Sequence, residues 1–308
     1  MMHRFHDHAM ASPFRVVIAH RDPREAARAA AAAFAEAHRI EGELSRFTPA
    51  SDISRIASLK PGEALRLSPD PWACLSLALR VSAATGGAFD PLFRSRKGGR
   101  PALLLRLHPS SRTVTVSREG VVVDLGAIGK GYALDRMAAL LGELGAVPAL
   151  LSAGDSTVLG LGAPPGTSGW RVALRSPRGR RSGRSASFAG GDEPILATVD
   201  LENRALSGSA SRLRPGHLRT PSSGLRARGV GATWASCAMR AGSAAGALSD
   251  ALSTAFFVAG PGGTRRFCAR HKGVLGIITG VKQPGLTVFG QPRGILHPIR
   301  NTPRRISR

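Results

Sequence analysis

The segment Val123–Asp135, VDLGAIGKGYALD, limits the fold more than any other stretch of this chain. An apolar run meets Gly126, Gly129 and Gly131, and a helix-forming stretch follows from Tyr132 to Leu144. The glycines let backbone amides and carbonyls approach a ligand closely, and Lys130 places a cation where a phosphate meets a helix start. The spacing is neither the dinucleotide-binding G-x-G-x-x-G nor a Walker A loop, so neither standard nucleotide fold is indicated. Taken alone, the segment also reads as a tight strand-to-helix turn carrying an exposed lysine.

The surrounding pattern predicts a mixed fold. Phe14–Ala19 reads as a strand, and Asp22-Pro23 caps and opens an Ala-rich helix from Arg24 to about Glu43. Ser45–Ser58 reads as a polar loop entering a short helix, and Pro71–Thr85 as a helix closed by Gly86-Gly87. Strands are expected at Leu103–Leu107, Thr113–Ser117, Val121–Leu125, Ala149–Ser152, Thr157–Gly160, Trp170–Arg175, Ile195–Asp200, Val274–Thr279 and Leu286–Phe289. Ala244–Ala259 reads as a helix, and the Arg-, Gly- and Ser-rich stretch Ser176–Asp192 as a loop. Strands and helices alternate irregularly, with many antiparallel-looking pairs, which favours α+β over a doubly wound sheet. With 308 residues, no fixed repeat and no clear linker, the expectation is one domain over residues 10–290. Residues 1–9 are expected to be a flexible tail and 291–308 a basic one.

The net charge of +23 attracts polyanions, but the arginines are spread along the chain, without zinc-ligand spacing, an RNP-like aromatic run or a basic helix. A dinucleotide is an anion too, so the charge does not choose between partners. Cys74, Cys237 and Cys268 form neither a CxxC pair nor an even set, which points to three buried thiols in a reducing compartment. The first residues, MMHRFHDHAM, carry no apolar h-region or cleavage site, and no stretch approaches about 18 uninterrupted apolar residues. Cytoplasmic is the plain expectation, with export open if the true start lies upstream.

Three further segments carry chemistry. In Asp250–Thr254 (DALST), a helix places Asp250, Ser253 and Thr254 on one face, giving a hard oxygen set suited to Mg2+. It also reads as the polar face of an ordinary helix. His217, in GHLRTPSSG, is placed to act as a general base, or is an ordinary loop histidine. Gly86–Pro91 (GGAFDP) presents Phe89 and Asp90 after a helix end, and turn chemistry alone also explains it. There is no G-x-S-x-G, HExxH or paired-carboxylate constellation, which removes α/β-hydrolases, zincins and standard glycosidases.

Taken in order, these pieces resemble one family, the ApbE family of FAD:protein FMN transferases. The match runs through Met10–Phe14, LSRFTPASDISRI (Leu44–Ile56), TGGAFDP (Thr85–Pro91), DLGAIGKGYALD (Asp124–Asp135), SAGDSTVLGLG (Ser152–Gly162), GHL (Gly216–Leu218) and SDALSTAFFVAGP (Ser249–Pro261). The GAIGKG form resembles one branch of that family. The resemblance implies a T-fold-like α+β single domain with antiparallel sheets and packed helices. It implies FAD as substrate, Mg2+, and transfer of FMN to a Thr or Ser hydroxyl of an acceptor flavoprotein, with release of AMP. By position it implies Mg2+ ligands at the Ala127 carbonyl, Asp250, Ser253 and Thr254. Flavin contacts are implied at Met10, Phe47, Ala88, Phe89, Asp90, Asp124, Lys130 and Leu218, with His217 assisting the acceptor hydroxyl.

The chain also departs from the family pattern. Thr220-Pro-Ser-Ser-Gly224 stands where an Asp-Pro-Arg-Thr-Gly-like run is usual, and Asp155 replaces a glycine near the expected phosphate region. Ser207-Gly-Ser-Ala210 replaces a Ser-Gly-Asp-Tyr-like run. These departures keep open a paralogue that binds FAD without transferring FMN. The charge alone keeps open a basic nucleic-acid-associated protein.

Overall fold

The computed structural model describes residues 1–95, 104–176, 193–210, 230–240, 244–280, 285–292, 294–299 and 304–307. The strands are β1 (Met2–Ala9), β2 (Ser12–Ala19), β3 (Ala64–Arg66), β4 (Leu105–His108), β5 (Thr113–Val116), β6 (Ala149–Ala153), β7 (Thr157–Leu161) and β8 (Trp170–Arg175). They continue as β9 (Ile195–Leu201), β10 (Arg204–Ala210), β11 (Val230–Ala238), β12 (Val274–Gly280), β13 (Leu286–Phe289), β14 (Leu296–Pro298) and β15 (Arg304–Ser307). The α-helices are α1 (Pro23–Leu44), α2 (Asp52–Arg55), α3 (Pro69–Ala84), α4 (Gly129–Glu143) and α5 (Ala245–Arg270).

A nine-stranded sheet in the order β1-β2-β6-β7-β10-β11-β12-β13-β15 forms the frame. Every ladder in it is antiparallel except β13 with β15. The period-2 alternation of strands sorts side chains into two cores. Phe14, Val16 and Ile18 of β2 and Val274 and Ile278 of β12 face α1, α4 and α5. Leu275 and Ile277 of β12 and Trp234 of β11 face the small β14-β9-β8 sheet on the other side. The α+β expectation with antiparallel sheets and packed helices therefore holds. Gly276 lets α5 lie close to the sheet, since a Cβ there would come within 2.5 Å of Thr264 Cγ2.

Local chemistry sets several elements as read from the sequence. The Asp22 side chain accepts from the Arg24 amide at 2.8 Å, with Pro23 in the first turn of α1. The β4–β5 hairpin forms around the Pro109–Arg112 turn.

Other elements differ from the sequence reading. The expected tail at residues 1–9 is strand β1, held against β2 over eight paired positions. Its exposed residues alternate with half-buried ones, and Phe5 packs against the helix-side core, so the strand is held by pairing and one apolar face. The expected basic tail supplies β14, paired with β9, and β15, paired with β13. Val121–Leu125 is extended but joins no ladder. Its amides are taken by a loop instead, Val122 N donating to Ser95 Oγ at 2.7 Å and Asp124 N to Pro91 O at 2.8 Å. The glycine turn does not precede the helix but is its first turn, because α4 already begins at Gly129. Helix α5 continues to Arg270 past a kink at Gly260, whose φ of 63° and ψ of −169° leave the helical region before Pro261. Glycine adopts that left-handed value without a Cβ clash, and Pro261 then restarts the helix. The loop expected at Ser176–Asp192 lies outside the described residues beyond Ser176.

Candidate functional site

The site is built where the N-terminal turn of α4 meets the N-terminal half of α5. The two helices touch through glycine. A Cβ on Gly131 would fall on the Gly246 carbonyl and lie 2.7 Å from the Ala247 nitrogen. Helix α5 has Ala244 at its N-cap position and no capping side chain of its own. Asp135 of α4 takes that role from across the contact, accepting from Gly246 N at 2.7 Å and Ala247 N at 2.8 Å. Burial pushes the Asp135 carboxyl up to about 7, the nearby Asp250 charge adds to this, and the two amide hydrogen bonds oppose it.

This junction fixes Asp250, which is 5% exposed. Its Oδ2 accepts from Gly131 N at 3.2 Å and lies 3.4 Å from Lys130 Nζ, while its Oδ1 accepts from Thr157 Oγ1 at 3.2 Å. A row of hydroxyls continues from it along α5 and β10. Ser253 Oγ lies 2.9 Å from both the Asp250 carbonyl and Ser209 Oγ, and Thr254 Oγ1 lies 3.4 Å from Ser209 Oγ. Thr233 of β11 holds the Ser253 carbonyl at 2.7 Å. Lys130, Asp250, Ser253 and Thr254 are thus brought together, with Ala127 in the same turn as Lys130. Among the described residues no group of three or more His, Cys, Asp or Glu is placed to hold a metal ion.

Asp124 adjoins this cluster through Gly126. Its Oδ1 accepts from Gly126 N at 2.9 Å, and the Gly126 carbonyl lies 3.5 Å from Lys130 Nζ. Its Oδ2 lies 2.5 Å from Arg94 Nε and 3.3 Å from Arg46 Nε. Phe47 is 77% exposed beneath the Arg46 guanidinium. In the Thr85–Pro91 turn, Ala88 is half-buried, whereas Phe89 and Asp90 are 3% and 6% exposed. Asp90 Oδ1 accepts from Leu92 N at 2.9 Å, so this carboxylate shapes its own turn. Met10 and Ala11 form the two-residue β1–β2 turn, both with φ near +50°. A non-glycine residue held there stores about 1 kcal/mol of strain or more, a feature that concentrates at ligand sites. His217 and Leu218 lie outside the described residues.

Sequence reasoning missed Asp135, Thr157 and Ser209 as parts of the site. Asp135 had no signal, since Ser243 stands directly before the predicted start of α5 and offers a cap of its own in the sequence. Thr157 and Ser209 lay in segments matched to the family, but that they reach Asp250 and Ser253 is set by sheet pairing and was not legible. Asp155, expected to place a carboxylate near phosphate, is ion-paired to Arg15 at 3.4 Å.

Solved structures share this fold. The chain is similar to the crystal structure of the ApbE protein from Thermotoga maritima, at 24% identity and a TM-score of 0.73, covering 91% of this chain and 94% of that one. It is similar to the flavin transferase ApbE from Vibrio cholerae, at 16% identity and a TM-score of 0.74, covering 94% and 97%. It is also similar to the flavinyl transferase ApbE from Pseudomonas stutzeri, at 21% identity and a TM-score of 0.73, covering 94% and 93%. At these identities the likeness shows a common single-domain fold. Among curated proteins none matches significantly. The sequence model of the ApbE family matches residues 10–96 and 101–278, nearly the whole length, and the chain belongs to the ApbE family.

Proposed function

We propose that this chain is an FAD:protein FMN transferase that moves FMN from FAD to a Thr or Ser hydroxyl of an acceptor flavoprotein and releases AMP. The observation that carries the reading is the junction at which Lys130 of α4 faces Asp250 of α5, with the Ser209, Ser253 and Thr254 hydroxyls alongside. It sits inside a family match spanning both motifs.

The donor set fits Mg2+ in kind: one carboxylate, two hydroxyls and the Ala127 carbonyl are hard oxygen ligands. The Asp250 oxygens are held only at 3.2–3.4 Å by protein donors, so lone pairs remain for an ion. A single carboxylate makes a weak cage by itself, so the diphosphate of the substrate would complete the shell. When bound, Mg2+ would supply charge neutralisation at phosphate oxygens. Lys130, at the start of α4, would hold a phosphate by charge and by the helix N-terminus. Asp135 keeps α5 seated so that Asp250 faces Lys130. His217 would take the proton of the acceptor hydroxyl as that oxygen attacks phosphorus. Phe47, exposed at the rim, would contact the flavin.

The replacement of the usual run after the histidine by Thr220–Gly224 favours a second reading, FAD binding without transfer. The Arg15 pairing of Asp155 weakens the other argument for that reading. No helix among the described residues is long and apolar enough to cross a membrane. The buried free thiols Cys74, Cys237 and Cys268 suit the reducing cytoplasm, our proposed location. The test is incubation with FAD, Mg2+ and an acceptor domain, read as in-gel flavin fluorescence. Asp250→Ala is expected to abolish the signal, and full activity in that variant would refute the metal assignment.

A further inference from the structure

Two arginines with no role in the reading above converge on the glycine turn. Arg46 follows α1 and Arg94 follows the GGAFDP turn, yet both point their Nε at the same oxygen, Asp124 Oδ2. One carboxylate cannot neutralise two guanidinium groups. With Lys130 and Asp250 counted, three cations face two carboxylates along a continuous path: Arg46 and Arg94, Asp124, Gly126, Lys130, Asp250. Local charge is therefore positive at the mouth of the site.

The geometry of the two side chains is as informative as their charge. Arg94 is anchored by an Nε hydrogen bond and Arg46 by an Nε ion-pair contact at 3.3 Å, and among the described residues the terminal nitrogens of neither have a hydrogen-bond partner. Each lies over the ring of its neighbour, Arg46 at 3.8 Å from the Phe47 centroid and Arg94 at 5.0 Å from that of Phe93. Anchoring at one nitrogen and stacking on a ring fix the plane of a guanidinium, which lowers the entropy lost when its remaining donors bind. Two planar forks fixed at one carboxylate, with their outer donors unspent, match the oxygens of a phosphate.

We propose that Arg46 and Arg94 form a phosphate clamp at the glycine turn, with Asp124 as its anchor, and that it takes phosphate oxygens of the dinucleotide. This rests on the transferase reading for the identity of the ligand but not for the existence of the clamp. Asp124 is then a positioning residue. The clamp's anchor holds the Gly126 amide and Lys130 lies at the Gly126 carbonyl, so a diphosphate lying along the turn meets both.

The test uses the full chain without metal, with pyrophosphate and riboflavin as separate calorimetric probes. Arg46→Gln and Arg94→Gln keep a donor toward Asp124 but remove the charged fork. Each is expected to weaken pyrophosphate binding about tenfold, and the pair more, with riboflavin affinity unchanged within about twofold. Arg94→Lys, which keeps charge without the fork, is expected to recover only part of the loss. Unchanged pyrophosphate affinity in the double variant overturns the clamp. So does a parallel loss of both probes, which marks a structural role. A rise confined to the acceptor KM in the transfer assay, with pyrophosphate binding intact, overturns it in favour of an acceptor-docking patch. Clamp-dependent pyrophosphate binding in a protein that transfers no FMN keeps this inference and sinks the transferase reading instead.

Discussion

Gly131→Ala and Gly142→Ala place the same methyl group in the same helix and should have opposite effects. At Gly131 the new Cβ falls on the Gly246 carbonyl and 2.7 Å from the Ala247 nitrogen, and backbone cannot rotate aside as a side chain can. The Gly246 carbonyl oxygen would lie at 2.1 Å, so reaching ordinary contact at about 3.5 Å requires α4 and α5 to separate by roughly 1.4 Å. Overpacking of this kind costs about 1–3 kcal/mol. The same movement stretches the Asp135 cap on Gly246 and Ala247, worth about 1 kcal/mol. The sum is about 3 kcal/mol, or roughly 5–10 °C in melting temperature for a chain of this size. The functional loss should be larger than the stability loss. Gly131 N and Lys130 Nζ hold Asp250 at 3.2 and 3.4 Å, and a separation of that size breaks both contacts. At Gly142 a Cβ meets nothing within 4 Å, so the helix gains about 0.5–1 kcal/mol from alanine. Urea unfolding and FAD binding on both variants are the assays. Wild-type stability and wild-type FAD affinity in Gly131→Ala would refute the account of the helix junction.

Three other expectations follow from single groups. Asp135 has its folded pKa raised from 3.8 to about 7, so its contribution is fully present below pH 4 and lost as pH rises through 7. Metal-free wild type should therefore show a falling stability component across that window that Asp135→Asn lacks; equal slopes in both proteins would contradict the burial argument. Asp200 behaves oppositely: the paired Arg171 guanidinium, with Ser168 and His297 adding, pulls it down from 3.8 to about 2. Its contribution is present above pH 4 and lost as pH falls through 2, and Asp200→Asn should blunt acid unfolding in circular dichroism. Phe47→Ala should leave urea stability within about 0.5 kcal/mol, because the ring is 77% exposed, while FAD affinity falls. A large stability change there would show that the ring is structural.

What could be read from the sequence was mostly what is decided locally. The Asp22-Pro23 start of α1 and the β4–β5 hairpin depend on neighbouring residues, and they stand as expected. Strand β1 was not legible because a polar, His-rich run has no core signal of its own and gains order only by pairing with β2. Val121–Leu125 is a β-branched run that reads as a strand, but its amides find Ser95 and Pro91 rather than a ladder, a choice made by a distant loop. Gly260-Pro261 looked like a helix end because those residues usually stop one, whereas packing of Thr264, Phe267 and Cys268 recovers the helix beyond the kink. In the site, the Lys130 and Asp250 motifs were legible as segments. Their meeting through Gly131 and Gly246, and the cap that Asp135 supplies, belong to residues more than 100 positions apart.

On the proposed reading, the junction of α4 and α5 serves transfer of FMN to a protein hydroxyl. Intact-mass spectrometry of an acceptor domain after incubation with this chain, FAD and Mg2+ tests it most directly, with AMP measured in the same sample. One covalently added FMN per acceptor and an equal amount of AMP are expected, both lost in Asp250→Ala. An acceptor of unchanged mass in the presence of protein-bound FAD, with no AMP formed, would contradict it.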